Sequence, residues 1–136
     1  MCGFAGILSQ HGIAQLDNNL VAMGEAIAHR GPDSSGIWSN EQKTLGVVHR
    51  RLAIQDLSPL GAQPMTSATG RFKIVFNGEI YNFHSIRQEL EALSYQFNGH
   101  SDTEVMLSAF EAWGVEQSLA KFAGMFAFAV MDFEAR

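Results

Sequence analysis

The chain has 136 residues, 46% of them hydrophobic and 17% charged, which suits one globular domain with a real core and leaves no room for a second. A net charge of −5 without a basic stripe argues against a nucleic-acid or anionic-membrane partner, because nothing is present to neutralise phosphates. One cysteine excludes an internal disulfide and a multi-thiolate zinc site, and points to a reducing, cytoplasmic setting.

In chain order, the opening "MCGFAGIL" predicts a short buried strand directly behind the lone thiol of Cys2. No basic region precedes that apolar stretch, so it makes a poor signal peptide, and position 2 is not the glycine of a myristoylation site. After "HG", the spacing of Leu16, Leu20, Met23 and Ile27 predicts an amphipathic helix. "HRGPD" at 29–33 should stop it, with glycine and proline shaping the loop. Two strands are expected next, over 36–39 and 44–54, followed by a connector, "QDLSPLGAQP", too polar for the core. "FKIVFNGEIY" reads as strand, turn and strand continuation.

Ile86, Leu90 and Leu93 share one face of a further predicted helix. "SDTEV" carries a capping box, Ser101 with Glu104 three residues on, which should start a helix reaching Trp113. A shorter helix over "VEQSLAKFA" then precedes a last strand, "MFAFAVMDF", read as buried on both faces. Its apolar run is far too short to cross a bilayer. Early strands, central helices and a late strand predict an α+β domain of layered helix and sheet, not an alternating parallel fold.

Three places carry chemistry. If Met1 is removed, Cys2 holds a thiol with a reference pKa of about 8.5 and an α-amine of about 8 on one residue, so nucleophile and general base come together. "NGE" at 77–79 has two readings. Asn-Gly is a strong hairpin-turn signal, and the Asn77 amide with the Gly78 N–H could equally serve as paired donors to an oxyanion. In "HRRLAI" at 49–54, alternation sends one arginine to each face. One would be a solvated edge charge, and the other suits bidentate recognition of a small carboxylate. Asp102 either holds a substrate ammonium or is simply a favourable charge in a helix first turn. The five histidines (11, 29, 49, 84 and 100) show no metal-ligand spacing, and no Gly-rich phosphate cradle occurs.

Taken together, Cys2 with "GFAGI", then "HRGPD", "HRRLAIQDLSPLGAQPM", "FNGEIYNF" and "SDTEV", resemble the glutaminase domain of class II glutamine amidotransferases, most closely the asparagine synthetase branch. The resemblance implies a four-layer αββα sandwich of N-terminal-nucleophile type. It also implies hydrolysis of glutamine to glutamate and ammonia through a thioester on Cys2. Carried over by position, Arg51 would grip the glutamine α-carboxylate and Asp102 its α-ammonium. Leu52, Ile54 and Glu79 would line the same pocket, and Asn77 and Gly78 would form the oxyanion hole.

In that family the domain continues past "FAFAVMD" and is followed by a synthetase domain that uses ATP and Mg to activate aspartate. The chain is therefore expected to be a C-terminally incomplete glutaminase domain over 1–136, with no cofactor of its own. Its partners would be glutamine and the ammonia-receiving synthetase domain, in a homodimer as the complete enzyme. Two alternatives stand beside this one. The same half-reaction could feed another acceptor, a cell-surface sugar or a natural-product carboxylate, or the domain could bind an amino acid without catalysis.

Overall fold

In the computed structural model, which describes residues 2–54 and 57–134, the elements alternate as their side-chain patterns dictate. Strand β1 (Gly3–Leu8) leads to helix α1 (Leu16–Ala26), a 3-10 turn over Ala28–Arg30, and strands β2 (Ser34–Ser39) and β3 (Leu45–Arg51). A second 3-10 turn, Pro59–Gly61, precedes β4 (Met65–Thr66) and β5 (Phe72–Ile80). Helices α2 (Phe83–Ala92), α3 (Asp102–Trp113) and α4 (Val115–Lys121) follow, and β6 (Gly124–Asp132) ends the described fold.

The strands form two antiparallel three-stranded sheets, ordered β1-β3-β2 and β4-β5-β6. The central strands, β3 and β5, bury one set of side chains outward against helices and the other set inward against the facing sheet. In β3, Val48 packs outward with Leu16 and Leu20 of α1, while Val47 packs inward with Val75 of β5 and Met131 of β6. In β5, Phe72, Ile74 and Phe76 point to α3, meeting Met106, Leu107 and Phe110. Helix α2 lies outside, closing on α3 through Ile86, Leu90, Val105 and Ala109. The layers are thus α1, sheet, sheet, and α2 to α4, the expected αββα order. Full burial of each such aliphatic contributes about 1.5–3 kcal/mol against the unfolded chain.

The two 3-10 turns and the two-residue β4 were not foreseen, and several local expectations need correction. The "NGE" segment is no turn: β5 runs through it unbroken, with Asn77 opposite Ala127 and Gly78 opposite Phe126. The long pairing with β6 outweighs the local turn preference of Asn-Gly. The strand predicted over 44–54 stops at Arg51. Leu93 caps α2 at 55% exposure instead of joining its buried face, because the helix ends one residue earlier. Strand β6 is half-buried: it is the edge of its sheet, and Met125 near its start is 72% exposed. Of the connector read as too polar for the core, residues 55 and 56 lie outside the described residues, but Gly61 and Gln63 are buried.

The capping box is half right. Ser101 Oγ accepts from Glu104 N–H at 3.2 Å, whereas the Glu104 carboxylate turns to the backbone N–H groups of Asn98 and Gly99. It ties down the loop before the helix in place of closing the box. Among the described residues no helix is long and apolar enough to cross a membrane.

Candidate active site

At one open end of the sandwich, between the two sheets, lies a cleft of about 250 Å³. Each of the sequence-predicted site residues lines it: Cys2, Arg51, Leu52, Ile54, Asn77, Gly78, Glu79 and Asp102. The pairing of β1 with β3 explains why the first two meet. Gly3 pairs with Arg50, so Cys2, one step further, falls beside Arg51. The Cys2 Sγ accepts from Leu52 N–H at 3.3 Å and lies 3.5 Å from the Leu52 carbonyl. The "HRGPD" loop braces this corner: Arg30 Nε donates to the Cys2 carbonyl at 3.3 Å, and an Asp33 oxygen accepts from Ala53 N–H at 2.8 Å.

Alternation along β3 separates the two arginines. Arg50 sits on the α1 side, where Nε donates to the Gly31 carbonyl at 3.1 Å. Arg51 faces the cleft, half-buried, with one guanidinium nitrogen donating to the Ser58 carbonyl at 2.9 Å. His49 precedes both in sequence and, like Arg51, turns inward, where it is 1% exposed and its Nε2 is 3.1 Å from the Phe76 carbonyl.

The parity of β5 shapes the opposite wall. In an antiparallel strand the N–H and C=O of one residue point to the same side, and neighbours point to opposite sides. Phe76 N–H bonds the Gln63 side chain and Ile80 N–H bonds an Asp102 oxygen at 3.0 Å, both on the side away from β6. Strand β4 reaches only Ile74. The Gly78 N–H, midway between these two, is thereby aimed past the end of β4 into the cleft. Only glycine fits here, since φ is +156° and a Cβ would strike the Met125 carbonyl and the Phe126 backbone of β6. Beside it, Asn77 Oδ1 is buried without a hydrogen-bond partner. Its amide nitrogen is the end left to donate into the cleft.

Asp102 opens α3 as a buried residue. Burial raises its carboxyl above the usual range, the Ile80 and Thr103 N–H groups oppose that, and the nearby Glu79 carboxylate adds to it. None of the ion pairs among the described residues engages it. The arrangement favours an incoming cation, whose charge would relieve the desolvated carboxylate. Thiol, guanidinium, paired donors and carboxylate thus face one small volume. No group of three or more potential metal ligands occurs among the described residues.

Sequence reasoning missed Gly61, Gln63, Tyr81, Ser101, Thr103 and Met125, which also line the cleft. Gln63 matters most, and periodicity offered no signal for a polar side chain buried from within a loop.

Burial holds His49 well below the usual histidine range, at about 4, with Arg51 lowering it further and the Phe76 carbonyl opposing both. The unfolded chain therefore takes up a proton that the folded chain refuses. His49 contributes no pH-linked loss above about pH 6.5, and stability falls as the pH drops from there towards 4. Wild type should lose roughly 3 kcal/mol more than His49→Gln across that window. Urea unfolding of both proteins at pH 7 and pH 4 checks this, and parallel losses would contradict it.

The chain matches a family model described as a glutamine amidotransferase domain, over residues 1–136. It is 42% identical over 135 residues to asparagine synthetase [glutamine-hydrolyzing] 1 of Bacillus subtilis, covering 97% of this chain and 21% of that protein. To asparagine synthetase B [glutamine-hydrolyzing] of Escherichia coli it is 36% identical over 135 residues, covering 98% and 24%. The chain spans roughly a fifth to a quarter of the length of these relatives. Among solved structures, the glutamine phosphoribosylpyrophosphate amidotransferase of B. subtilis superposes with a TM-score of 0.73 at 20% identity, over 97% of this chain and 35% of that one. At that identity the likeness speaks to the fold, an α+β sandwich shared with an amidotransferase.

Proposed function

The chain belongs to the glutamine amidotransferase domain family, and on that premise we propose that it hydrolyses glutamine to glutamate and ammonia through a thioester on Cys2. The observation that carries this reading is the convergence of Cys2, Arg51, Asn77, Gly78 and Asp102 on one cleft of about 250 Å³, small enough for an amino acid. Arg51 takes the substrate α-carboxylate and Asp102 the α-ammonium, with Glu79 adding negative potential beside it. The side chain then extends towards Cys2, flanked by Leu52 and Ile54.

With Met1 removed, the α-amine of Cys2 accepts the thiol proton and Sγ attacks the carboxamide carbon. The C=O electrons move onto oxygen, where Asn77 Nδ2 and Gly78 N–H stabilise the anion. Collapse expels ammonia, which takes the proton back from the α-ammonium and leaves a glutamyl thioester. Water, deprotonated by the same amine, adds to the thioester carbon, and the thiol departs with that proton. No cofactor takes part in these steps. The ammonia passes to an ATP-dependent synthetase domain that makes asparagine from aspartate. The names of the B. subtilis and E. coli relatives support this acceptor.

A direct test compares protein shown by mass to begin at Cys2 with protein that keeps Met1. The retained residue turns the base into an amide that cannot accept a proton, so glutamate release should fall at least ~100-fold. Equal rates would assign activation of the thiol to another group.

A further inference from the structure

We propose that Gln63 is a positioning residue that holds the oxyanion donors of β5 in register with the carboxylate at the start of α3. The inference rests on the glutaminase reading and adds a residue that touches neither the reacting carbon nor the nucleophile. Gln63 is 9% exposed, although it comes from an irregular loop. Its Oε1 accepts from Phe76 N–H at 2.6 Å, and its Nε2 donates to Thr103 Oγ1 at 3.3 Å. Phe76 immediately precedes Asn77 and Gly78, and Thr103 immediately follows Asp102. One planar amide therefore joins the neighbour of the proposed oxyanion hole to the neighbour of the proposed ammonium site.

The location explains why a side chain does this work. Strand β4 covers β5 only at Lys73 and Ile74, so the next N–H on that edge, Phe76, lacks a strand partner. Leaving it buried and unbonded would be costly, and Gln63 replaces the missing strand by one residue's length. Its own backbone is pressed against the other sheet: a Cβ on Gly36 of β2 would strike the Gln63 carbonyl and lie 3.1 Å from Pro64 Cδ. The Phe76 carbonyl is held from that same sheet by His49. The peptide groups on both sides of Phe76 are thus clamped, which fixes where the following Asn77 amide and Gly78 N–H stand. Misplacement of such donors by an ångström can cost about 100-fold in rate.

The test uses the protein with its processed N-terminus, glutamine hydrolysis, and hydrogen exchange of individual amides. Gln63→Met keeps the length and removes both hydrogen bonds. It should lower kcat about 10- to 100-fold, with a smaller change in KM, and should speed exchange at the Phe76 amide. Gln63→Glu keeps an acceptor for Phe76 N–H and should recover part of kcat. Thr103→Val leaves the Phe76 bond intact and covers the case in which Gln63→Met fails to fold. It breaks only the tie to α3 and should cost about 3- to 10-fold. A merely structural role would lower the melting temperature while kcat stays within twofold for all three variants, and that result overturns the proposal. Wild type that releases no glutamate would instead refute the glutaminase reading itself, and the positioning role with it.

Discussion

Cys2→Ala is expected to remove glutamine hydrolysis by a factor on the order of 10⁴ or more, while glutamine still binds with nearly its original affinity. The nucleophile contributes to the covalent step and little to holding the ground state. In the resting structure its Sγ is bonded to the Leu52 backbone, so loss of the thiol leaves one amide facing the cleft. That amide borders solvent in the cleft, which keeps the cost to stability small. Calorimetric titration of glutamine into the variant, beside a glutamate-release assay, separates the two quantities. Hydrolysis within tenfold of wild type would sink the assignment of the nucleophile. Loss of binding together with hydrolysis would make Cys2 part of the binding surface instead.

Arg51→Ala should act on the other quantity, raising the glutamine KM far more than it lowers kcat. Removing one partner of a desolvated, hydrogen-bonded charge pair costs about 2–5 kcal/mol. Arg51 is half-buried, so water screens part of that attraction, and the lower end applies: about 2–3 kcal/mol, or roughly 30- to 150-fold in KM. The guanidinium also donates to the Ser58 carbonyl, a contact the substitution removes as well. Arg51→Lys keeps the charge without the planar fork and should fall between the two. An unchanged KM in steady-state kinetics would move the carboxylate contact to another group. Arg50 is the less apt candidate, because its Nε is engaged with the Gly31 carbonyl on the α1 side.

Much of the domain was legible from residue order. The strands over Gly3–Leu8 and Gly124–Asp132 and the helices beginning at Leu16 and Asp102 stand where their apolar spacing and the Ser101 cap place them. These features depend on neighbours within one or two turns of chain, which is the range a sequence pattern can report. The candidate site residues that line the cleft were legible for a different reason. A thiol, an arginine, an Asn-Gly pair and an aspartate each have distinctive chemistry, and together their motifs matched a family.

What the tertiary structure alone decided is how these pieces face one another. Whether "NGE" turns or continues depended on β6, whose paired residues lie 46 to 50 positions further along the chain and run straight across it. Which of two adjacent arginines enters the cleft depended on which face of β3 packs towards β5 and which towards α1. The burial of Gln63 depended on β4 stopping after two residues, which left the Phe76 N–H for a side chain to satisfy. In each case the deciding contact lies beyond the range of a local sequence pattern. A buried N–H must be paired and a sheet must be covered, and only the assembled chain determines which residue does it.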